Sequence, residues 1–150
     1  MGNFFQSPFF LSVTIGFPFC LYKILFAILT TRVGNQNTWQ FLIIAGHLII
    51  IWACADLVMN LIRAFEDIRG RESRIEFCTL AQAGRMMGAP MVFLALDTLI
   101  TFSIICFVLW SGWVMHFTGY EAYLWYSATT LNLISLSLVG LWTEIQRLHT

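Results

Sequence analysis

Four runs of about twenty apolar residues mark the chain, and each is long enough to cross the hydrocarbon of a bilayer as an α-helix. They extend approximately from Phe9 to Thr31, Trp39 to Ile62, Pro90 to Met115 and Ala122 to Ile145. In lipid every backbone N–H and C=O must be satisfied within its own segment or in a closed barrel, and no period-two alternation supports a barrel. The pattern predicts an all-α, polytopic membrane protein, with four transmembrane helices forming one domain over residues 1–150. Pro8 and Pro90 fit first-turn positions, whereas Pro18 falls inside the first helix and predicts a kink there. The first run lacks the basic start and small-residue cleavage pattern of a signal peptide, so it reads as a permanent helix. Met1-Gly2 opens like a myristoylation signal, but Gln6 occupies the position where a hydroxyl residue is needed.

Composition agrees with the pattern. The 150 residues are 59% hydrophobic and only 11% charged, and the mean hydropathy is +0.77. That leaves too little polar surface to cover a water-soluble domain. The net charge of zero suggests no nucleic-acid partner. Cys20, Cys54, Cys78 and Cys106 are scattered without a C-x-x-C, so neither a disulfide nor a zinc site is expected. Three of them lie in apolar segments as small hydrophobes.

Charge placement orients the helices. Arg63, Arg69, Arg71, Arg74 and Arg85 lie between the second and third runs and Arg147 follows the fourth, while the opposite side has only Arg32 near its boundary. By the positive-inside rule both termini and the loop 63–89 face the cytoplasm or its equivalent. Trp39, Trp110, Trp113, Tyr120, Tyr123 and Trp125 gather at the other face, as an interfacial aromatic belt would. The expected location is a bacterial inner or energy-transducing membrane, or an organellar equivalent.

The loop 63–89 mixes Glu66, Asp67, Glu72 and Glu76 with its arginines, and Ile68, Ile75, Phe77 and Leu80 are spaced loosely like an amphipathic helix. Glu72 and Glu76 with Arg69 and Arg74 suit short-range helical ion pairs. The expected structure is a solvated or interfacial helix, which is also the largest polar surface open to a soluble partner.

Polar residues inside the spans carry the chemistry. Asp97 is the only charged residue between Arg85 and Glu121, and an ionised carboxylate at mid-bilayer costs roughly 2.5–3.5 kcal/mol on insertion scales. Asp56 lies about two turns inside the second helix, at a level similar to that of Asp97 in the third. Gly46, Ala53, Asp56, Asn60 and Arg63 form one polar, small-residue face. Thr98 and Thr101 accompany Asp97, and Ala128, Asn132 and Ser135, with Ser137 nearby, make a similar stripe on the fourth helix. Lys23 is the one basic residue well inside a span and the natural partner for either acid. Helical rise places it beyond the midplane, however, so a pair with Asp56 or Asp97 depends on where the first helix starts.

Histidine introduces a second chemistry. His47 and His116 fall at different depths, which argues against a shared bis-His haem. A single axial His47 suits a haem or chlorophyll-type pigment, with Gly46 leaving room for a flat macrocycle; the alternative is a histidine hydrogen-bonded between helices. His47 and Asp56 are nine residues apart, on nearly opposite faces of one helix. If neither residue faces lipid, such a helix is sandwiched between its own bundle and another chain or cofactor. There is no nucleophile elbow, phosphate-cradling loop, metal-ligand spacing or external catalytic domain.

The leading expectation is therefore a non-catalytic structural or accessory subunit of a larger, energy-transducing membrane complex, held in the bilayer with other membrane subunits. Two alternatives stand beside it. One is a proton- or ion-coupled transport component using Asp56 and Asp97; the other is a haem- or chlorophyll-binding subunit using His47.

Overall fold

The computed structural model describes residues 7–71 and 75–148, and every regular element among them is helical. Four helical stretches are long and apolar enough to cross a membrane: Phe9–Asn37, Gln40–Ile68, Pro90–Trp110 and Gly119–Leu148. The first is a rod of three contiguous pieces, α1 (Pro8–Leu11), a π-turn (Ser12–Gly16) and α2 (Phe17–Asn37). It is followed by α3 (Gln40–Ile68), a short α4 (Thr79–Met86), α5 (Pro90–Trp110), a 3₁₀ turn (Trp113–His116) and α6 (Gly119–Leu148).

The helix ends differ from the apolar runs in an instructive way. The first rod continues past Thr31 to Asn37, and α3 continues past Ile62 to Ile68. Once a helix has left hydrocarbon, polar residues can extend it without penalty, so hydropathy underestimates its length. The third helix is shorter than expected. It stops at Trp110 rather than Met115, because Ser111 and the left-handed Gly112 (φ 76°) turn the chain into the 3₁₀ segment. The last helix starts at Gly119 and runs to Leu148, beyond both expected limits of Ala122 and Ile145.

Pro90 opens α5 and Pro8 opens α1. Pro18, which lacks an N–H for the carbonyl four residues back, is met by the π-turn immediately before α2, where the Phe17 N–H reaches Ser12 O. The feature found beside Pro18, where a kink was expected, is this π-turn, which ends two residues before it.

The first rod is the hub of the bundle. Of its most apolar stretch 56% is buried, against 17–22% in the other three spans. It pairs antiparallel with α3 at very close range. A Cβ added at Gly46 would collide with Thr31 Oγ1 and stand 2.8 Å from the Ala27 carbonyl, and one at Gly34 would stand 2.9 Å from the Ile43 backbone N. The space expected beside Gly46 for a macrocycle is thus filled by α2. Farther along, Gly16 meets the Asn60 side chain, and the Phe9 N–H donates to Asp67 Oδ2 at 2.9 Å.

On another side α2 packs against α6. The Tyr22 and Trp125 rings meet edge to face at 4.9 Å, and the Tyr22 hydroxyl donates to Thr129 Oγ1 at 3.0 Å. Trp125 is therefore buried in the core with Phe19, Leu25, Leu29 and Val108, not placed in an interfacial belt. Trp39, Trp110, Tyr120 and Tyr123 are exposed as a belt requires, and Trp113 is half-buried against Phe26 and Phe107. Arg32 joins the far end of α2 to the start of α6 through a two-pronged ion pair with Glu121, at 3.0 and 2.6 Å.

The stretch between α3 and α5 is not simply a solvated helix. Residues 75–78 are non-helical and half-buried or buried, and α4 folds back onto α5 with Gly84 pressed against the Phe93 ring. Arg63 organises this return. It donates to the Ile75 carbonyl at 2.7 Å, lies 3.8 Å over the Phe77 ring and faces Glu76 at 3.5 Å. Glu76 also faces Arg85 at 3.7 Å, whereas Arg69 stacks on Phe65. Glu72 and Arg74 lie outside the described residues.

Candidate functional site

Three spans converge on Lys23. Its ammonium is 2.7 Å from Asp56 Oδ2 on α3 and 2.5 Å from Asp97 Oδ1 on α5, and the Trp52 ring centroid lies 4.3 Å away. The three N–H directions of a lysine thus meet two carboxylates and one aromatic face. All three charged side chains are almost completely buried.

The depth problem raised by the sequence resolves through two features. Side chains on a helix lean toward its N-terminus, so the Lys23 stem points back along α2 toward the level of Asp56. In addition, the first rod and α3 overhang the start of α5, so counting turns from each helix end exaggerates the separation of Lys23 and Asp97.

The two carboxylates are held very differently. Asp56 accepts from Lys23 through one oxygen and, through the other, from both the Thr79 backbone N–H and the Thr79 hydroxyl, each at 2.7 Å. The indole N–H of Trp52 donates in turn to Thr79 Oγ1 at 2.8 Å, so the polarity of the chain is consistent from Trp52 to Asp56. Thr79 is the first residue of α4, and the carboxylate of Asp56 serves as its anionic N-terminal partner from another helix. Asp97 has Lys23 and the Cys78 thiol. Burial pushes that thiol up to about 12, so Cys78 is a neutral S–H, and a thiol is a weak donor.

Asn60 fixes the returning segment one turn beyond Asp56. Its amide donates to the Phe77 carbonyl at 2.7 Å and to the Asp56 carbonyl at 3.0 Å, with Cys20 Sγ at 3.7 Å, while Oδ1 is buried without a partner. Beside these groups is a cavity of about 170 Å³. Leu11, Ile15, Phe19 and Leu94 form much of its apolar wall, and Lys23, Asp56, Asn60, Asp97, Thr98, Cys20 and Cys78 contribute to the rest.

Lys23, Asp56, Asn60 and Asp97 are therefore brought together as one site. Thr101 is buried one turn from Asp97 but directs its hydroxyl to the Asp97 carbonyl, and Thr98 likewise bonds to the Leu94 carbonyl. Asn132 is buried on α6 with Ala128 and Ser135, does not line this cavity, and has an unpartnered Oδ1. Ser137, expected near that stripe, is exposed.

Thr79 and Trp52 were not singled out from the sequence, and Cys20 and Cys78 were read there only as scattered cysteines, not as neighbours of this site. A signal for the return of α4 does exist: Ala81 and Gly84, three residues apart, are its buried small residues.

His47 is exposed on the outer side of α3, and its Nδ1 is 2.7 Å from the Ile43 carbonyl, which leaves Nε2 directed away from that bond. It borders a shallow groove with Arg32, Asn35 and Gln36. His116 is also exposed, with its carbonyl accepting from Arg32. Comparison with protein-family models, with curated proteins and with solved structures finds no match.

Proposed function

We propose that the chain is a proton- or cation-coupled transport component working through Lys23, Asp56 and Asp97, with its arginine-rich end in the cytoplasm. One observation carries this reading: two carboxylates and one ammonium, formally one negative charge in excess, lie buried beside a cavity. A purely structural ion pair needs neither the excess charge nor the space. Asp56 is fully engaged by Lys23 and Thr79, so Asp97 is the carboxylate free to take up and release a proton or a cation. When it does, Lys23 loses one of its two counter-charges, and the contact between α2 and α5 weakens while that between α2 and α3 persists. Such a change in helix pairing is what a coupled carrier requires.

The test is proton movement into proteoliposomes carrying a trapped pH-sensitive dye under an imposed gradient. The wild type should conduct, and Asp97→Asn should abolish conduction while the protein remains folded. Conduction unchanged in Asp97→Asn, or absent from folded wild type, rejects the proposal.

The accessory-subunit reading is kept second because of α6. This helix is the least apolar of the four spans, with a hydropathy of 1.3, and exposes Ser127, Thr130 and Ser137 on its outer face. A helix–helix contact would use small hydroxyl residues there better than lipid does. Purification in mild detergent with a stoichiometric second chain supports that reading, and a monomer alone in native membranes opposes it.

A further inference from the structure

The polar atoms left open at the cavity are acceptors. All three N–H directions of Lys23 already meet partners, the Asn60 amide is bonded to two carbonyls, and the Thr98 hydroxyl is turned to the Leu94 carbonyl. What has acceptor capacity to spare there is the Asp97 carboxylate, since Asn60 Oδ1, although unpartnered, is enclosed against Gly16. Its two oxygens, with about four lone-pair sites, receive only one ammonium N–H from Lys23 and the weak S–H of Cys78 there. Around these acceptors the wall is apolar, formed by Leu11, Ile15, Phe19 and Leu94.

Each class of occupant can be weighed against that lining. An anion would enter a site that already carries an excess negative charge. A neutral hydrocarbon would cover the Asp97 carboxylate without donating to its spare lone pairs, at the desolvation cost of a buried acceptor. A hard divalent cation seeks about six to eight oxygens, more than converge here. An organic cation satisfies both halves of the site, since its N–H donors meet the acceptors and its apolar body meets the wall. A cavity of about 150 Å³ is known to hold benzene, and this one is about 170 Å³.

We infer that the cavity binds a small organic cation, a primary ammonium on an apolar body about the size of a benzene ring, with the Asp97 carboxylate receiving its N–H groups. This rests on the reading of the triad as a proton- or cation-coupled site and names the ligand class that the site takes. Proton and amine then share Asp97, and the loading of one displaces the other.

Benzylammonium is the probe, titrated by calorimetry into the full chain in lipid nanodiscs, with heats from empty nanodiscs subtracted. Benzyl alcohol has nearly the same shape without the charge. Saturable binding is expected for benzylammonium, weaker by at least about tenfold for benzyl alcohol and for Asp97→Asn. Leu94→Trp should fill the cavity while leaving every charge in place, and should abolish binding; it keeps the test decisive if Asp97→Asn fails to fold. No saturable binding to folded wild type, equal affinity for the alcohol, or undiminished binding in Leu94→Trp overturns the inference. Proton conduction that depends on Asp97, without amine binding, removes this inference and leaves the transport reading intact. Amine binding without conduction does the reverse.

Discussion

Two ion pairs in this molecule use the same elementary chemistry in opposite surroundings. At the far end of α2, Arg32 grips Glu121 with both prongs, but the arginine side chain is 31% exposed and the glutamate 15%. Midway along the same rod Lys23 sits between Asp56 and Asp97, with its side chain 1% exposed. Water or headgroups can replace either partner of the first pair if the other is removed. The partners of the second are almost wholly withdrawn from solvent, so losing one strands the others in surroundings of low polarity. The first pair is a clasp at one end of the rod, and the second joins three helices at its middle.

Removing the lysine should give the largest difference between the two. Lys23→Met leaves two adjacent carboxylates without their cation, and breaking a buried pair in this way costs about 3–5 kcal/mol. Thermal unfolding in detergent should show that loss as a lowered midpoint. Adding Asp97→Asn to Lys23→Met should then restore part of it, since one stranded charge is gone and Asp56 still has Thr79. If the double variant is less stable by the sum of the two single losses, the triad is not an interacting unit.

Arg32→Gln should give the smallest effect. An exposed pair is worth about 0.2–1 kcal/mol, somewhat toward the upper end for a two-pronged geometry, and screening by salt should shrink it further. Measured at low and high salt, the Arg32→Gln loss should fall while the Lys23→Met loss stays nearly constant. A comparable loss in both variants, equally insensitive to salt, would erase the distinction between clasp and centre.

The sequence carried much of this architecture. Asp56 and Asn60 in one face with Gly46 and Ala53, Asp97 with Thr101, and Ala128 with Asn132 and Ser135 are all buried, as helical spacing required. That spacing is a local property, which is why it could be read. The partnership of Lys23 was harder, because it depends on how far one helix overhangs another, and hydropathy is silent once a helix leaves the hydrocarbon. Trp125 was misplaced for a related reason: an aromatic residue near an interface can serve as a belt or pack inward, and only the nearness of Tyr22 settles it.

The return of α4 was the least legible element. Its polar, arginine-rich surroundings suggested a solvated helix, yet Thr79 reaches Asp56, and Asn60 holds the Phe77 carbonyl. These are contacts between residues 17 and 23 positions apart, set by tertiary packing rather than by any periodic signal. The two buried cysteines belong to the same lesson. Cys20 and Cys78 are enclosed beside the triad, whereas Cys54 and Cys106, deep within apolar runs, face outward.

The central claim is that the two aspartates differ, Asp56 being held by Thr79 and Lys23 and Asp97 being free to exchange a proton. Infrared difference spectroscopy of the protein in bilayers, recorded as pH is lowered, tests it most directly by the C=O stretch of a newly protonated buried carboxyl. The account predicts that this band appears in the wild type and is missing from Asp97→Asn. A band that persists in Asp97→Asn would assign the proton elsewhere and contradict the account.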